Sequence, residues 1–167
     1  TFFNHFSDKR EVLFAGSEAL AIPRLAPRQE RAPDPIDAPP APVIICGFGR
    51  VGQVVGRVLR MQRIRFTALE KDTGQVDVVR RFGTKVYFGH PAGEEVLRSA
   101  GAETAQVLVV ALDDMEEAVR VVETAKRHFE NLAIFARARN RRHAHRLMEL
   151  GIAGIVRETF FSSLRLT

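Results

Sequence analysis

The stretch Val43 to Gly56 reads VIICGFGRVGQVVG, and it leaves the chain little choice of fold. Val43, Ile44, Ile45 and Cys46 form an unbroken apolar run. It passes straight into Gly47, Phe48, Gly49, Arg50, Val51 and Gly52, and then into a helical pattern. Strand, glycine turn, helix is the order this implies. In the spacing G-x-G-x-x-G, Gly47 permits a tight turn off the strand and Gly49 permits close approach of backbone N–H groups to a phosphate. Gly52, with Gly56 one turn later, lets the helix lie close on its strand. An anion at such a helix start meets unpaired N–H groups and the positive end of the dipole. Fold alone can require the same glycines, so the surroundings of the turn must decide whether anything binds there.

The surroundings favour a nucleotide. Phe66, Thr67, Ala68 and Leu69 form a second apolar run ending in Glu70, 18 residues past Gly52. An acid at the end of the second strand, roughly 20 residues after the glycines, is the acceptor a ribose hydroxyl pair needs. Lys71 follows it, but Glu70 would repel a ribose phosphate, which disfavours NADP. Further along, strands are expected at 85 to 88, 107 to 111, 133 to 137 and 154 to 156. Helices are expected at 50 to 63, 73 to 82, 92 to 100, 114 to 129 and 140 to 150. Met115, Ala118, Val122, Ala125 and Phe129 share one helical face, with Asp114 placed to cap it. Strands as apolar as Val107 to Ala111 are covered on both faces, so the alternation implies a doubly wound parallel sheet of about six strands, a Rossmann-like α/β fold. Ligands of such sheets gather at the C-terminal strand ends, which selects Glu70, Lys71, Gly89, His90, Ala111, Asp113, Arg137 and Arg139 as the rim.

The remainder is less regular. Residues 1 to 22 carry several phenylalanines and receive no assignment. Residues 23 to 42 hold seven of the eight prolines, which points to an extended linker and a domain boundary near residue 42. The net charge is +5, and the basic excess lies in the part after this boundary, with twenty Lys or Arg against fourteen Asp or Glu, so an anionic ligand or partner is expected. Nucleic acid is disfavoured because the basic residues lack aromatic interleaving and any known motif spacing. Five arginines fall between Arg137 and Arg146, but His143 and His145 are two apart and point away from each other on a helix, so no metal site is expected. The single cysteine, Cys46, suits a small core residue in a reducing compartment. No run approaches the ~20 apolar residues of a membrane span. The first residue, Thr1, and the Leu-Thr ending suggest a piece excised from a longer protein.

GFGRVGQVVGRVL, LEKD, RRFGTKVYFGH, LRSAGAETAQVLVVALDD, FARARNRRHAHRLMELG and RETFFSSL together resemble the C-terminal nucleotide-binding domain of Kef-type glutathione-gated potassium efflux systems. These belong to the monovalent cation:proton antiporters, and the domain is the potassium-conductance-regulating, or TrkA-N, type. The resemblance runs from about Val43 to Leu164, and the pairing of ARAR with RETF is its more specific part. It implies a dimeric domain on the cytoplasmic side of the bacterial inner membrane that binds NAD(H) or AMP, does no chemistry, and regulates an attached potassium efflux domain. By motif, the nucleotide would touch Gly47, Phe48, Gly49, Arg50, Val51, Gly52 and Glu70, with Lys71, His90, Ala111 and Asp113 at the rim. In gated members glutathione, or its adducts, is gripped near the dimer interface; the resemblance implies Arg57 and Arg157 for that grip and Phe82 for the aromatic beside it. Two departures stand out. The family's third strand usually ends in Gly-Asp-Ala, whereas this chain has Gly89, His90, Pro91 and Ala92. The dimer-forming crossover helix should begin near Thr159, and only residues 159 to 167 of it are present. The competing reading is a fragment of an NAD-dependent oxidoreductase, which needs a substrate domain and a catalytic acid or base beside the nicotinamide.

Overall fold

The computed structural model describes residues 31–81 and 83–160. The chain alternates β1 (Val43–Cys46), α1 (Arg50–Met61), β2 (Phe66–Glu70), α2 (Thr73–Arg81), β3 (Tyr87–Phe88), α3 (Glu94–Ser99), β4 (Val107–Val110), α4 (Met115–His128), β5 (Ala133–Ala138), α5 (Arg141–Glu149) and β6 (Gly154–Arg157). All six strands are parallel, in the order β3-β2-β1-β4-β5-β6. The sheet is therefore the doubly wound, Rossmann-like one that the alternation implied.

Side-chain alternation along the strands divides the core into two layers. Ile44, Cys46, Leu108, Val110, Ile134 and Ala136 face α3, α4 and α5, together with Leu97, Val122 and Leu147. Val43, Ile45 and Ala68 face α1 and α2, with Val76, Val79 and Phe48. Right-handed crossovers dictate this split, because the chain reverses direction across the sheet after β3. The second face is only half covered. Beyond α1, Phe135 and Val156 are 43% and 57% exposed, beside Val54, Val58 and Met61 on α1 itself.

Two local expectations are corrected. The third strand is Tyr87–Phe88 rather than 85 to 88, because Arg80 donates from Nε (2.9 Å) and Nη2 (2.7 Å) to the Val86 carbonyl. That carbonyl is thereby taken by a side chain. The proline-rich segment is also not a free linker along its whole length, since from Ala32 the chain belongs to the same compact unit as the sheet. The Asp34 N–H donates to the Phe88 carbonyl (2.8 Å), and its carboxylate accepts from the Phe88 N–H (2.7 Å) and Arg80 (2.6 Å). Ile36, Ala38 and Ala41 pack inward. Proline prevents ladder and helix bonding but does not prevent an extended chain from burying apolar side chains. Residues 1 to 22, Phe82 and the segment after Phe160 lie outside the described residues. Among the described residues no helix is long and apolar enough to cross a membrane.

Candidate functional site

The site begins where β1 ends. Gly47 turns the chain at φ +90°, and its N–H donates to the Leu69 carbonyl (2.9 Å), tying the turn to β2. A methyl group at Gly52 would lie 2.1 Å from the Gly47 carbonyl oxygen, and one at Gly56 would lie 2.9 Å from the Phe48 ring. Both glycines are therefore required by packing between helix and turn. Gly49 differs, since its φ of −72° suits any residue and a Cβ there would meet nothing within 4 Å. The protein's own packing gives no reason for glycine at this position.

Gly49 is also the N-cap of α1, where Ser, Thr, Asp or Asn would ordinarily satisfy the orphan amides. No side chain caps this helix, and its first turn contains no acid. The first intrahelical bond is from Gln53 N–H to the Gly49 carbonyl (2.9 Å), which leaves the Arg50, Val51 and Gly52 amides pointing out of the helix start. Of the other helices, α3 also starts at an uncapped glycine, Gly93, but carries Glu94 and Glu95 in its first turn, and the remaining three have side-chain caps. Asp72 accepts from Gln75 N–H at α2, Asp114 from Glu117 N–H at α4, and Asn140 from His143 N–H at α5. An open helix start with no acid in its first turn has the charge and the hydrogen-bonding capacity to hold an anion.

Glu70 stands beside it, 8% exposed. Its carboxylate accepts from the N–H groups of Phe48 (2.7 Å), Lys71 (2.9 Å) and Asp72 (3.0 Å). Sequence reasoning gave Glu70 a sugar; the structure gives it first a clamping duty, holding the glycine loop onto β2. Three of its roughly four lone-pair directions are used, which leaves one for a ligand hydroxyl. Phe48 offers the cleft neither its amide, which Glu70 takes, nor its ring, which is 2% exposed and stacks on Phe66 at 6.0 Å.

The rim residues sort by partner. Lys71 reaches across to the buried carboxylate of Glu117. Asp113 pairs with Arg137 at 2.7 Å, so it is not the cap of α4, and Arg137 also pairs with Glu158. Ala111 is buried under Gly47, its N–H bonded to the Cys46 carbonyl (2.8 Å). His90 is exposed on the turn after β3. Arg50 is exposed on the first turn of α1. Burial pushes the Cys46 thiol far above its usual range, in keeping with a core residue.

Sequence reasoning missed an apolar slot of about 370 Å³ between α1 and the ends of β4, β5 and β6, lined by Val51, Val55, Val109, Phe135, Val156 and Arg137. The signal was present in Phe135, an aromatic on the face of β5 opposite Ile134 and Ala136. Arg137 Nε is buried there without a partner among the described residues. The residues assigned to a tripeptide are not brought together within one chain. Arg57 lines a cavity of about 390 Å³ between α1 and α2, while Arg157 stands on the edge strand β6, its guanidinium 4.5 Å from the Phe160 ring centroid. Three strand spacings, roughly 14 Å, separate β1 from β6. Phe82 lies outside the described residues. Among the described residues no group of three His, Cys, Asp or Glu side chains could hold a metal ion.

Known proteins share this fold. A profile of the TrkA-N domain matches residues 43–158. The Kef C-terminal domain of Shewanella denitrificans, solved in AMP-bound form, is 43% identical over 74% of this chain and 76% of its own, with a TM-score of 0.66. The TrkA-N domain of the inner membrane protein YbaL from Escherichia coli is 25% identical over 78% of this chain and 96% of its own, at 0.70. The GsuK channel bound to NAD shares the fold at 19% identity, covering 72% of this chain and 22% of its own, at 0.64. The chain belongs to the TrkA-N domain family and is a Kef-type member of it.

Proposed function

We propose that this chain is a sensor rather than an enzyme. It binds an adenine nucleotide, AMP or NAD(H), at the open start of α1, and the bound nucleotide biases an attached potassium efflux domain in the bacterial inner membrane, with the sensor on the cytoplasmic side. The observation that carries the reading is Gly49, a glycine that neither backbone conformation nor crowding requires. Space kept clear in front of three unpaired amides suits a phosphate. The Arg50 guanidinium adds a counter-charge, and the remaining acceptor direction of Glu70 suits a ribose hydroxyl.

The oxidoreductase reading has less support. The carboxylates at the strand ends are already engaged, Glu70 with amides, Asp113 and Glu158 with Arg137, Glu117 with Lys71, and Asp114 with the start of α4. A general base needs a free acceptor beside the reacting atom. Regulation asks only that the nucleotide bind two arrangements of the attached domain unequally. The half-covered sheet face, with Phe135 and Val156 exposed, suits a second copy of the chain. A homodimer also gives Arg57 of one subunit a way to meet Arg157 of the other around glutathione.

Two glycine substitutions test the nucleotide reading together. Gly49→Val should fold as the parent does, because it meets open space, yet lose AMP and NADH binding by about tenfold or more in isothermal titration. Gly52→Ala forces a methyl into a carbonyl oxygen and should lower stability by about 1–3 kcal/mol. If Gly49→Val binds both nucleotides as well as the parent does, the helix start is not the site.

A further inference from the structure

The open helix start lies at the C-terminal edge of the sheet, and a second cavity opens at the opposite edge. It has a volume of about 500 Å³ and sits where α1 ends, β2 begins and α2 turns toward β3. Arg60, Arg63, Arg65 and Lys85 line it around Ile64 and Phe66, and no carboxylate lines it. Lys85 pairs with Asp37 at 2.7 Å. Arg60 is fixed in place, donating to Thr84 Oγ1 (3.2 Å) with its guanidinium 5.8 Å from the Phe66 ring centroid. Arg63 and Arg65 are exposed and have no charged partner among the described residues. Three arginines thus line one cavity with no carboxylate among its lining residues, a local excess of positive charge that attracts an anion.

Arg63 provides a second, independent observation. It is the one non-glycine residue with positive φ among the described residues, at +58°. The turn is the helix-ending one in which Ile64 N–H reaches back to the Leu59 carbonyl (2.9 Å) and Arg63 N–H to the Arg60 carbonyl (3.0 Å). Glycine is the usual occupant of that left-handed position, since a side chain there is strained. Elsewhere the chain follows the rule, with Gly83, Gly101 and Gly151 at positive φ after α2, α3 and α5. After α1 it keeps an arginine, and that arginine faces the cavity. Strain retained at one position of four points to a role for the side chain.

We propose that this cavity is a second anion site, distinct from the open helix start, for a phosphate-bearing ligand carrying two or more negative charges. Guanidinium forks match phosphate oxygens in pairs of hydrogen bonds, and the volume falls within the range of small-molecule sites. Ile64 and Phe66 offer an apolar floor to the rest of the ligand. The inference does not depend on the nucleotide reading, because it uses none of the same residues.

The test uses the 167-residue chain, labelled with ¹⁵N and titrated with pyrophosphate at about 50 mM salt, where screening is weak. The expected result is saturable shifts of backbone amides at 60–67 and 83–85. The double substitution Arg63→Gly, Arg65→Ser should weaken that binding by about tenfold or more, as expected on losing two charge-assisted contacts. Arg63→Gly alone should raise Tm by relieving the left-handed strain, and the double variant should melt no lower than the parent, so that its lost binding cannot be ascribed to misfolding. A parallel arm uses vesicles containing about 30% phosphatidylglycerol, since anionic headgroups present the same chemistry. Sedimentation with vesicles that pyrophosphate competes away assigns the site to a lipid headgroup, and pyrophosphate binding without sedimentation assigns it to a soluble phosphate compound. Shifts confined to 47–52, unchanged binding in the double variant, or no saturable binding of either probe would each overturn the proposal.

Discussion

Replacing Glu70 by glutamine tests whether this residue clamps the glycine loop. The carboxylate accepts three backbone N–H bonds from a position only 8% exposed. Glutamine keeps the shape but retains one acceptor oxygen. The less damaging orientation directs that oxygen to Lys71 and Asp72 and turns the NH₂ group onto the Phe48 N–H, so two donors face each other. A buried donor stranded in this way costs roughly 1–3 kcal/mol. The opposite orientation strands two donors and costs more. A central value of about 2 kcal/mol lowers Tm by roughly 6–10 °C for a compact unit of this size. Circular dichroism melts of parent and Glu70→Gln read the shift directly, and hydrogen exchange reads its place, with the Phe48 amide losing protection first. A variant that melts within about 1 °C of the parent, with Phe48 still protected, would refute the clamp, because no net loss that small fits an orphaned buried donor.

Two further predictions concern the other half of the domain. His143 is 2% exposed, and its Nδ1 accepts from the Arg139 N–H (3.2 Å); burial, with Arg146 and Arg137 nearby, holds its pKa below the usual imidazole value against the opposing pull of Glu116. The unfolded chain therefore takes up this proton first. Stability should be complete above about pH 6.5 and fall as the pH drops from there toward the lowered folded value, and His143→Leu should flatten that part of a denaturant-midpoint profile. An unaltered profile in the variant would remove His143 as its source. On the half-covered face, Phe135→Asp and Val156→Asp should shift the chain toward monomer in light scattering, while leaving the circular dichroism spectrum unchanged. A parent chain already monomeric at high concentration would end that reading.

The sheet was legible because its signals are local and redundant. Each strand is an apolar run, each long helix repeats at three and four residues, and the glycine turn marks the switch between them. Glu70 was found by its distance from Gly52, but its three amide partners were not, since they depend on how the chain folds back over it. The strand-end rule places Asp113, Lys71 and Arg137 on the rim, but the partners of Asp113 and Lys71, Arg137 and Glu117, lie 24 and 46 residues away in the chain. Spacing within a segment cannot report such pairs. The proline-rich segment misled for a different reason, because composition registers what prolines forbid and overlooks the buried edges of Ile36, Ala38 and Ala41. The spacing gave Gly49 a role apart from Gly47 and Gly52, but the sequence carries no account of the room around each. Only the space around each one separates a glycine that the fold needs from one that it does not.

Asp34 has one further consequence. By bonding the N–H and the carbonyl of Phe88 and gripping Arg80, it fastens the incoming chain to the outermost strand and to α2, and Asp37 adds a second hold on that strand by accepting from the Tyr87 hydroxyl (3.0 Å). A tug along the polypeptide from its N-terminal side is therefore shared between these holds on β3, two strands from β1, and the Pro42 carbonyl, which accepts from the Gln106 and Val107 N–H groups. Traction and ligand would act on the same lever from opposite ends, since β2, which carries Glu70, lies between them.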